Sequence, residues 1–227
     1  MVGYFRNDVA PGEKGFGKLI PCPNPAHQRD RLERLAKVSN MLPQELDRSL
    51  DDIIQSENNQ AMLEAARAMI ADPYGWLYIW GGPGNAKSET LIAVVNELNR
   101  IGKGPAVYTK FASLIEFMRD AFSERKKKDN DPDTDMGYIA RFERLKAVKV
   151  LAIDEMDKAR ETPFMNDFRF DFLDERYRAG IAGQTITLFA SNENPATLPD
   201  AVWDRVRDGR FKVVENTAPS ARPKMRR

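Results

Sequence analysis

The chain has 227 residues, of which 42% are hydrophobic and 30% are charged, and its 35 basic and 34 acidic side chains leave a formal net charge of +1. This size predicts one large domain with a small appendage, and the balanced charge excludes a uniformly basic nucleic-acid-binding protein. The single cysteine excludes an intramolecular disulfide and suits a reducing cytoplasm, and no apolar run is long enough to span a membrane.

The first 25 residues are rich in Gly and Pro and are predicted to be extended, and a basic helix is predicted at 26–38. Cys22 lies in a segment that resembles the start of a zinc knuckle. Zinc needs about four ligands, and Cys22 with His27 supplies only two. The pattern therefore indicates a proline-rich turn before the helix.

Helices and strands alternate along the rest of the chain. Apolar residues at helical spacing predict helices at 57–71, 90–98, 112–122, 138–147, 165–179 and 199–206. Apolar runs predict strands at 76–80, 105–109, 148–153, 184–190 and 211–214. Residues 42–54 are predicted to be mostly irregular, and the polar residues 123–135 to be a mobile loop. This alternation predicts a parallel sheet that is covered on both faces, with ligands at the carboxyl ends of its strands.

A glycine-rich loop separates the strand at 76–80 from the helix at 90–98. It follows the phosphate-loop pattern, except that Ala86 stands where the last glycine is usual. Ala86 keeps its N–H group and would add strain, about 1–2 kcal/mol, only at positive φ. The alternative is an ordinary Gly-Pro-Gly turn. The flanking strand and helix favour a nucleoside triphosphate site, with contacts from Gly82, Pro83, Gly84, Asn85, Ala86, Lys87, Ser88 and Glu89.

Two residues of this loop have distinct predicted roles. Lys87 would reach the β- and γ-phosphates, and the Ser88 hydroxyl would hold Mg²⁺. Acidic residues end the strand at 148–153, where Asp154 would hold the magnesium shell and Glu155 would polarise the attacking water. A solvated strand end is the alternative interpretation of these two acids.

The ends of two later elements carry further polar side chains. Asn192 follows the strand at 184–190 and could orient the attacking water, although it also suits a turn before Pro195. Arg205, Arg207 and Arg210 follow the last predicted helix. One of them could reach a neighbouring subunit's site and stabilise the transferred phosphoryl group. Their spacing alone does not choose among the three arginines. A solvated basic turn is the alternative interpretation.

Together these motifs resemble the AAA+ ATPases, and most of all the DnaC/IstB-like branch of bacterial and phage replicative helicase loaders. The resemblance covers residues 49–214. It implies an α/β P-loop fold with a five-stranded parallel sheet flanked by helices, and ATP hydrolysis with Mg²⁺ at the subunit interfaces of a homo-oligomer. It assigns the trans arginine finger to Arg205 and an adenine contact to Leu50 and Ile53. The chain leaves no room for a C-terminal lid, which agrees with the loader branch.

The resemblance also implies a division of the chain and a set of partners. Residues 1–48 would be an extension that binds the helicase, 49–217 the ATPase domain and 218–227 a basic tail. Single-stranded DNA would contact Lys110, Arg119, Lys126, Lys127 and Lys128, although a solvated loop also explains the lysine run.

We therefore expect an ATP-dependent protein that loads a replicative helicase onto single-stranded DNA in the cytoplasm of a bacterial or phage-infected cell. Two alternatives share most of the same motifs. One is an IstB-like transposition ATPase that regulates a transposase. The other is a nucleotide-gated binding protein with little hydrolysis, which Ala86 favours and the complete acidic pair opposes.

Overall fold

A five-stranded parallel sheet organises the chain. The computed structural model describes residues 4–6, 19–21, 24, 27, 39–127, 142–158 and 162–222. The strands are β1 (Tyr4–Arg6), β2 (Leu19–Pro21), β3 (Gly75–Gly81), β4 (Ala106–Lys110), β5 (Val150–Asp154), β6 (Ile186–Ser191) and β7 (Lys212–Asn216). The helices are α1 (Gln60–Ala71), α2 (Lys87–Arg100), α3 (Phe111–Lys127), α4 (Pro163–Ile181) and α5 (Asp200–Val206), and residues 142–147 are also helical. Short 3-10 turns lie at Pro43–Glu45, Leu50–Asp52, Glu57–Asn59 and Pro195–Thr197.

In the strand order, β3 lies between β6 and β7. β1 and β2 form a separate antiparallel pair, and the other five strands run parallel in the order β4-β5-β6-β3-β7. Trp80 of β3 lies opposite Ser191 of β6, and Gly81 lies opposite Asn216 of β7. The loop that follows β3 therefore emerges level with the ends of both neighbours. In open α/β sheets this is where ligands bind.

Hydrophobic clusters cover both faces of the sheet. Leu77 and Ile79 of β3 pack with α1 and α2 on one face. Trp76 and Tyr78 point to the opposite face, where the core is rich in aromatic residues. Because successive side chains of a strand alternate between faces, a continuous apolar run is what a strand buried on both sides requires.

A buried arginine joins β6 to the segment that enters β5. Arg176 of α4 has no solvent-exposed surface. Its guanidinium donates hydrogen bonds to the carbonyls of Val148 (2.9 Å) and Ile186 (2.7 Å) and to the Thr187 hydroxyl (2.8 Å). Burial lowers its pKa to about 9. These bonds fix the start of β5, the strand that leads to the predicted magnesium ligand Asp154 and the predicted catalytic Glu155.

Most of the sequence-based elements are confirmed within a few residues. One correction concerns the loop predicted at 123–135, because α3 continues through Lys127. Residues 123–127 contain neither Gly nor Pro, and Glu, Arg and Lys are good helix formers. The helix therefore continues through these polar residues. Cys22, Lys128 and nearly all of the helix predicted at 26–38 lie outside the described residues. In the described part of the chain, no helix is long and apolar enough to cross a membrane.

Candidate functional site

A cavity of about 670 Å³ opens at the carboxyl ends of β3, β5 and β6. This volume lies within the range of small-molecule sites. Six short segments line it, namely residues 52–54, residues 56–59 without Glu57, the loop residues 83–89, 154–158 without Met156, the pair 191–192, and the tail residues 218–222. The cavity thus brings together the loop, the acidic pair and Asn192, as the motifs predicted.

The phosphate loop has the shape that an anion requires. Gly84 (φ 75°) and Ala86 (φ 68°) both have left-handed backbone conformations. Ala86 therefore carries the strain considered above, about 1–2 kcal/mol, and its carbonyl accepts bonds from the N–H and the hydroxyl of Thr90 at 2.9 Å each. None of the backbone N–H groups of residues 84–88 donates to another described residue. These free donors, at the start of α2, form a site for phosphate oxygens.

Lys87 connects the loop to β6. Its side chain is buried, and its Nζ donates to the carbonyls of Gly81 (2.8 Å) and Gly82 (2.7 Å). The same Nζ contacts the side-chain oxygens of Asn85 (3.0 Å) and Asn192 (3.2 Å). Burial lowers the pKa of Lys87, and the charges of Asp154 and Asp157 oppose that shift. The amine is therefore poised to exchange these neutral acceptors for charged phosphate oxygens.

The first acid of the pair is fixed by a tyrosine. Asp154 is buried, and its Oδ2 accepts a hydrogen bond of 2.6 Å from the Tyr108 hydroxyl. Burial raises the pKa of Tyr108 well above its ordinary value, and the neighbouring Asp154 charge adds to the shift. The phenol therefore stays protonated and remains a donor. Asp154 Oδ1 accepts from the Glu155 N–H at 2.8 Å, so both carboxylate oxygens are oriented.

The second acid is held by two lysines. Glu155 Oε1 lies 2.7 Å from Lys158 Nζ, and its Oε2 lies 3.3 Å from Lys110 Nζ. The bond from Lys158 is the main cause that lowers the pKa of Glu155, with a further contribution from the Lys110 charge. Glu155 is thus a carboxylate at neutral pH. Lys110, which the sequence analysis assigned to DNA, contacts the predicted catalytic acid instead of standing free.

Backbone strain is concentrated at this site. In the described part of the chain, the non-glycine residues with positive φ are Ala86 and Glu155 (φ 54°). Such conformations persist only where the surrounding structure enforces them, and they cluster at functional sites. The strain therefore supports the site independently of its sequence motifs.

Asp157 is a site residue that the sequence analysis missed. Its Oδ1 accepts from the Asn192 N–H, and its Oδ2 accepts from the Asn192 side-chain amide, both at 3.0 Å. This pairing directs the Asn192 carbonyl oxygen toward Lys87. An available signal was the third acid in Asp154-Glu155-Met156-Asp157, two residues after the predicted base.

The residues predicted to contact adenine and the residues predicted to contact DNA lie in different parts of the structure. Ile53 lines the cavity together with the exposed Ile54, whereas Leu50 packs into the core. Arg119 is exposed on α3. Lys126 and Lys127 lie at the end of α3, and the structure describes their backbone only.

Arg205, the predicted trans finger, does not line the cavity of its own chain. Its guanidinium pairs with Asp174 through Nε (2.9 Å) and through Nη2. It also lies over the rings of Phe170 (5.0 Å) and Tyr177 (5.7 Å). A finger must reach another subunit's site, and this position is compatible with that role only after the guanidinium leaves Asp174.

The tail that follows β7 forms one wall of the cavity. The side-chain amide of Asn85 donates to the Asn216 carbonyl (3.0 Å), and that of Asn216 donates to the Asn85 carbonyl (2.7 Å). Farther along, the Ala221 N–H donates to the Gly84 carbonyl at 2.8 Å. A Cβ built on Gly84 would lie 3.3 Å from Arg222 Cγ. From the sequence, this tail was predicted only to be basic.

We expect Arg222→Ala to weaken ATP binding about 3–10-fold, because Arg222 lines the cavity and a charge-assisted contact with phosphate would be lost. Titration with a fluorescent ATP analogue measures the effect. Arg100→Ala is the control, since Arg100 lies at the far end of α2. An unchanged affinity in a folded Arg222→Ala variant would exclude the contact.

The donor set fits a nucleoside triphosphate with Mg²⁺. The free loop N–H groups and Lys87 suit phosphate oxygens, and the Ser88 hydroxyl with the Asp154 carboxylate supplies the oxygen ligands that Mg²⁺ prefers. When bound, Mg²⁺ would neutralise charge on the β- and γ-phosphates. The Glu155 carboxylate and the Asn192 amide also line the cavity.

No protein-family model matches the sequence, and no curated protein sequence matches it. Solved structures do match its fold. The DnaC helicase loader is 12% identical with a TM-score of 0.63, and the match covers 78% of this chain and 100% of that one. DnaI is 19% identical with a TM-score of 0.58, covering 79% and 96%. The replication initiator DnaA bound to AMPPCP and single-stranded DNA is 18% identical with a TM-score of 0.63, covering 78% and 51%.

The chain spans about half the length of the two AMPPCP-bound DnaA structures that it matches. It extends over the whole of the DnaC structure and nearly all of DnaI. The chain therefore shares the α/β fold of the DnaC and DnaA structures.

Proposed function

We propose that this protein is an ATPase that loads a replicative helicase onto single-stranded DNA. The observation that carries the proposal is the cavity after β3, where the phosphate loop, Asp154, Glu155 and Asn192 converge. The match over the full length of the DnaC helicase loader favours helicase loading among the functions of this fold. The solved DnaA complex with AMPPCP and single-stranded DNA supports the same pair of ligands here.

The chemistry follows from the positions of the side chains. Lys87 and the loop N–H groups would hold the triphosphate, and Asp154 would act with Ser88 as a magnesium ligand. Glu155 would take up a proton from the attacking water, whose position Asn192 would fix. For this step Glu155 must be released from Lys158 and Lys110.

Arg205 would complete the site across an interface between subunits. A mixing experiment tests this role. We expect Arg205→Ala and Lys87→Ala to be inactive alone and to recover ATPase activity together, because a Lys87→Ala subunit can still donate its arginine to a neighbour whose loop is intact. The same mixture with Arg207→Ala serves as the comparison. If mixing restores nothing while Arg207→Ala alone is inactive, the assignment passes to Arg207.

The loader function is tested by what the protein binds in the presence of ATP. The Glu155→Gln variant, used as bait with ATP in an extract of the source cells, should retain a replicative helicase that mass spectrometry identifies. Omitting ATP and using the Lys87→Ala bait are the controls. ATP-dependent recovery of a transposase would replace the proposal with the IstB-like alternative. Hydrolysis measured with and without single-stranded DNA tests the DNA partner.

One observation favours a second function. Glu155 is ion-paired to both Lys110 and Lys158, an arrangement that engages both oxygens of the predicted base. In a nucleotide-gated binding protein with little hydrolysis, these two ion pairs would persist after ATP binds. If ATP binds tightly while phosphate release stays at background in the assembled protein with DNA present, this second function is the correct one.

A further inference from the structure

The residues before the first 3-10 turn cover the free edge of the sheet. β4 is an edge strand, so one side of its backbone has no neighbouring strand. The Asn40 N–H donates to the Tyr108 carbonyl at 3.1 Å, and the Tyr108 N–H donates to the Ser39 hydroxyl at 3.3 Å. The Asn40 side-chain oxygen accepts from the Thr109 hydroxyl at 2.8 Å and from the Lys110 N–H at 3.4 Å.

Two of the β4 residues that form hydrogen bonds with Ser39 and Asn40 also contact the acids of the cavity. The Tyr108 hydroxyl donates to Asp154, and Lys110 Nζ pairs with Glu155. Residues two apart on a strand point to the same side, so the backbone groups of Tyr108 and Lys110 face the segment together. A shift of β4 at this edge would therefore move both contacts of the acidic pair at once.

The segment is itself anchored elsewhere on the ATPase unit. Met41 packs against the core cluster that contains α1 and α2. The Asn96 side chain of α2 is buried and donates to the carbonyls of Glu45 (2.7 Å) and Arg48 (3.0 Å). Residues 39–48, which the sequence analysis placed in the N-terminal extension, thus connect the extension to both β4 and α2.

We propose that Asn40 is a positioning residue for ATP hydrolysis. Its side chain holds the end of β4 through the Thr109 hydroxyl and the Lys110 N–H, and thereby positions Lys110 against Glu155 and Tyr108 against Asp154. The proposal rests on the proposed function, because it concerns the turnover of the same site. Asn40 does not line the nucleotide cavity, so it acts on hydrolysis and leaves nucleotide binding unchanged. Its side-chain oxygen is the group that matters, since it accepts from two successive residues of β4.

The test replaces that oxygen without changing the size of the side chain. We expect Asn40→Leu to lower kcat about 3–10-fold, the effect of losing one or two hydrogen bonds that position reacting groups. The affinity for a fluorescent ATP analogue should stay within about twofold of wild type. Asn40→Asp keeps an acceptor at the same place and should restore most of kcat. Asn166→Leu is the matched control, because it makes the same change at an exposed position of α4.

Circular dichroism melting first establishes that each variant is folded. A folded Asn40→Leu protein with wild-type kcat would overturn the proposal, as would an equal loss in Asn40→Leu and Asn40→Asp. An Asn40→Leu variant that loses nucleotide affinity in proportion to kcat would reveal a general structural role and would also overturn it. A wild-type protein with no ATPase activity would remove the proposed function itself, a result distinguishable from an active wild type and an unaffected variant.

Discussion

Glu155→Gln should bind ATP with near wild-type affinity and hydrolyse it about 10²–10⁴-fold more slowly, the usual effect of removing a general base. Gln has the shape of Glu but cannot accept the proton from the attacking water. Among the described residues, the Glu155 carboxylate pairs with the two lysine amines and makes no hydrogen bond to the phosphate loop, so binding should survive the change.

Single-turnover phosphate release measures the chemical step, and a fluorescent ATP analogue measures binding. Glu193→Gln is the matched control, since Glu193 is an exposed acid next to Asn192. Turnover of Glu155→Gln within about threefold of wild type would show that another group activates the water, and Asp157 would be the first to examine.

Lys87→Ala is expected to have the second large effect, on binding itself. Charge-assisted hydrogen bonds contribute about 1.5–3 kcal/mol each, so losing the amine should weaken ATP binding about 10–100-fold. Thermal unfolding with and without ATP gives an independent measure. At a ligand concentration about 100 times Kd, ATP should stabilise the wild type by about 2.7 kcal/mol, and about half of that gain or more should be absent in the variant.

Lys103→Ala controls for the loss of a lysine, because Lys103 is exposed beyond the end of α2. Lys87→Ala also leaves the carbonyls of Gly81 and Gly82 without their donor. Its melting temperature without ATP separates this structural effect from the loss of phosphate contacts. Equal ATP-dependent stabilisation of wild type and Lys87→Ala would mean that the nucleotide binds elsewhere.

The sequence predicted the fold because its signals are local. The apolar runs at 76–80 and 148–153 and the helical spacing after Lys87 specify elements whose order leaves few topologies. The loop pattern and the acidic pair were equally readable, since each is a contiguous motif at the end of a strand. Convergence of the loop, Asp154, Glu155 and Asn192 followed from placing all of them at one edge of a parallel sheet.

The interactions that the sequence did not predict are contacts between distant segments. Asp157 pairs with Asn192, Tyr108 with Asp154, and Asn40 with β4. Each pair depends on the register between strands and on the direction of a side chain, and neither property is encoded in a short motif. For the same reason, the charge of Lys110 suggested a DNA contact, while its partner in the structure is Glu155.

The path of the tail has a practical consequence for preparing the protein. Residues 218–222 lie against the phosphate loop, and the described chain ends at Arg222 beside Gly84. A purification tag or fluorescent fusion placed directly after Arg222 would start beside the nucleotide pocket. Such an attachment could obstruct ATP entry and imitate a defective enzyme. Activity measurements are therefore best made on protein from which any such appendage has been removed.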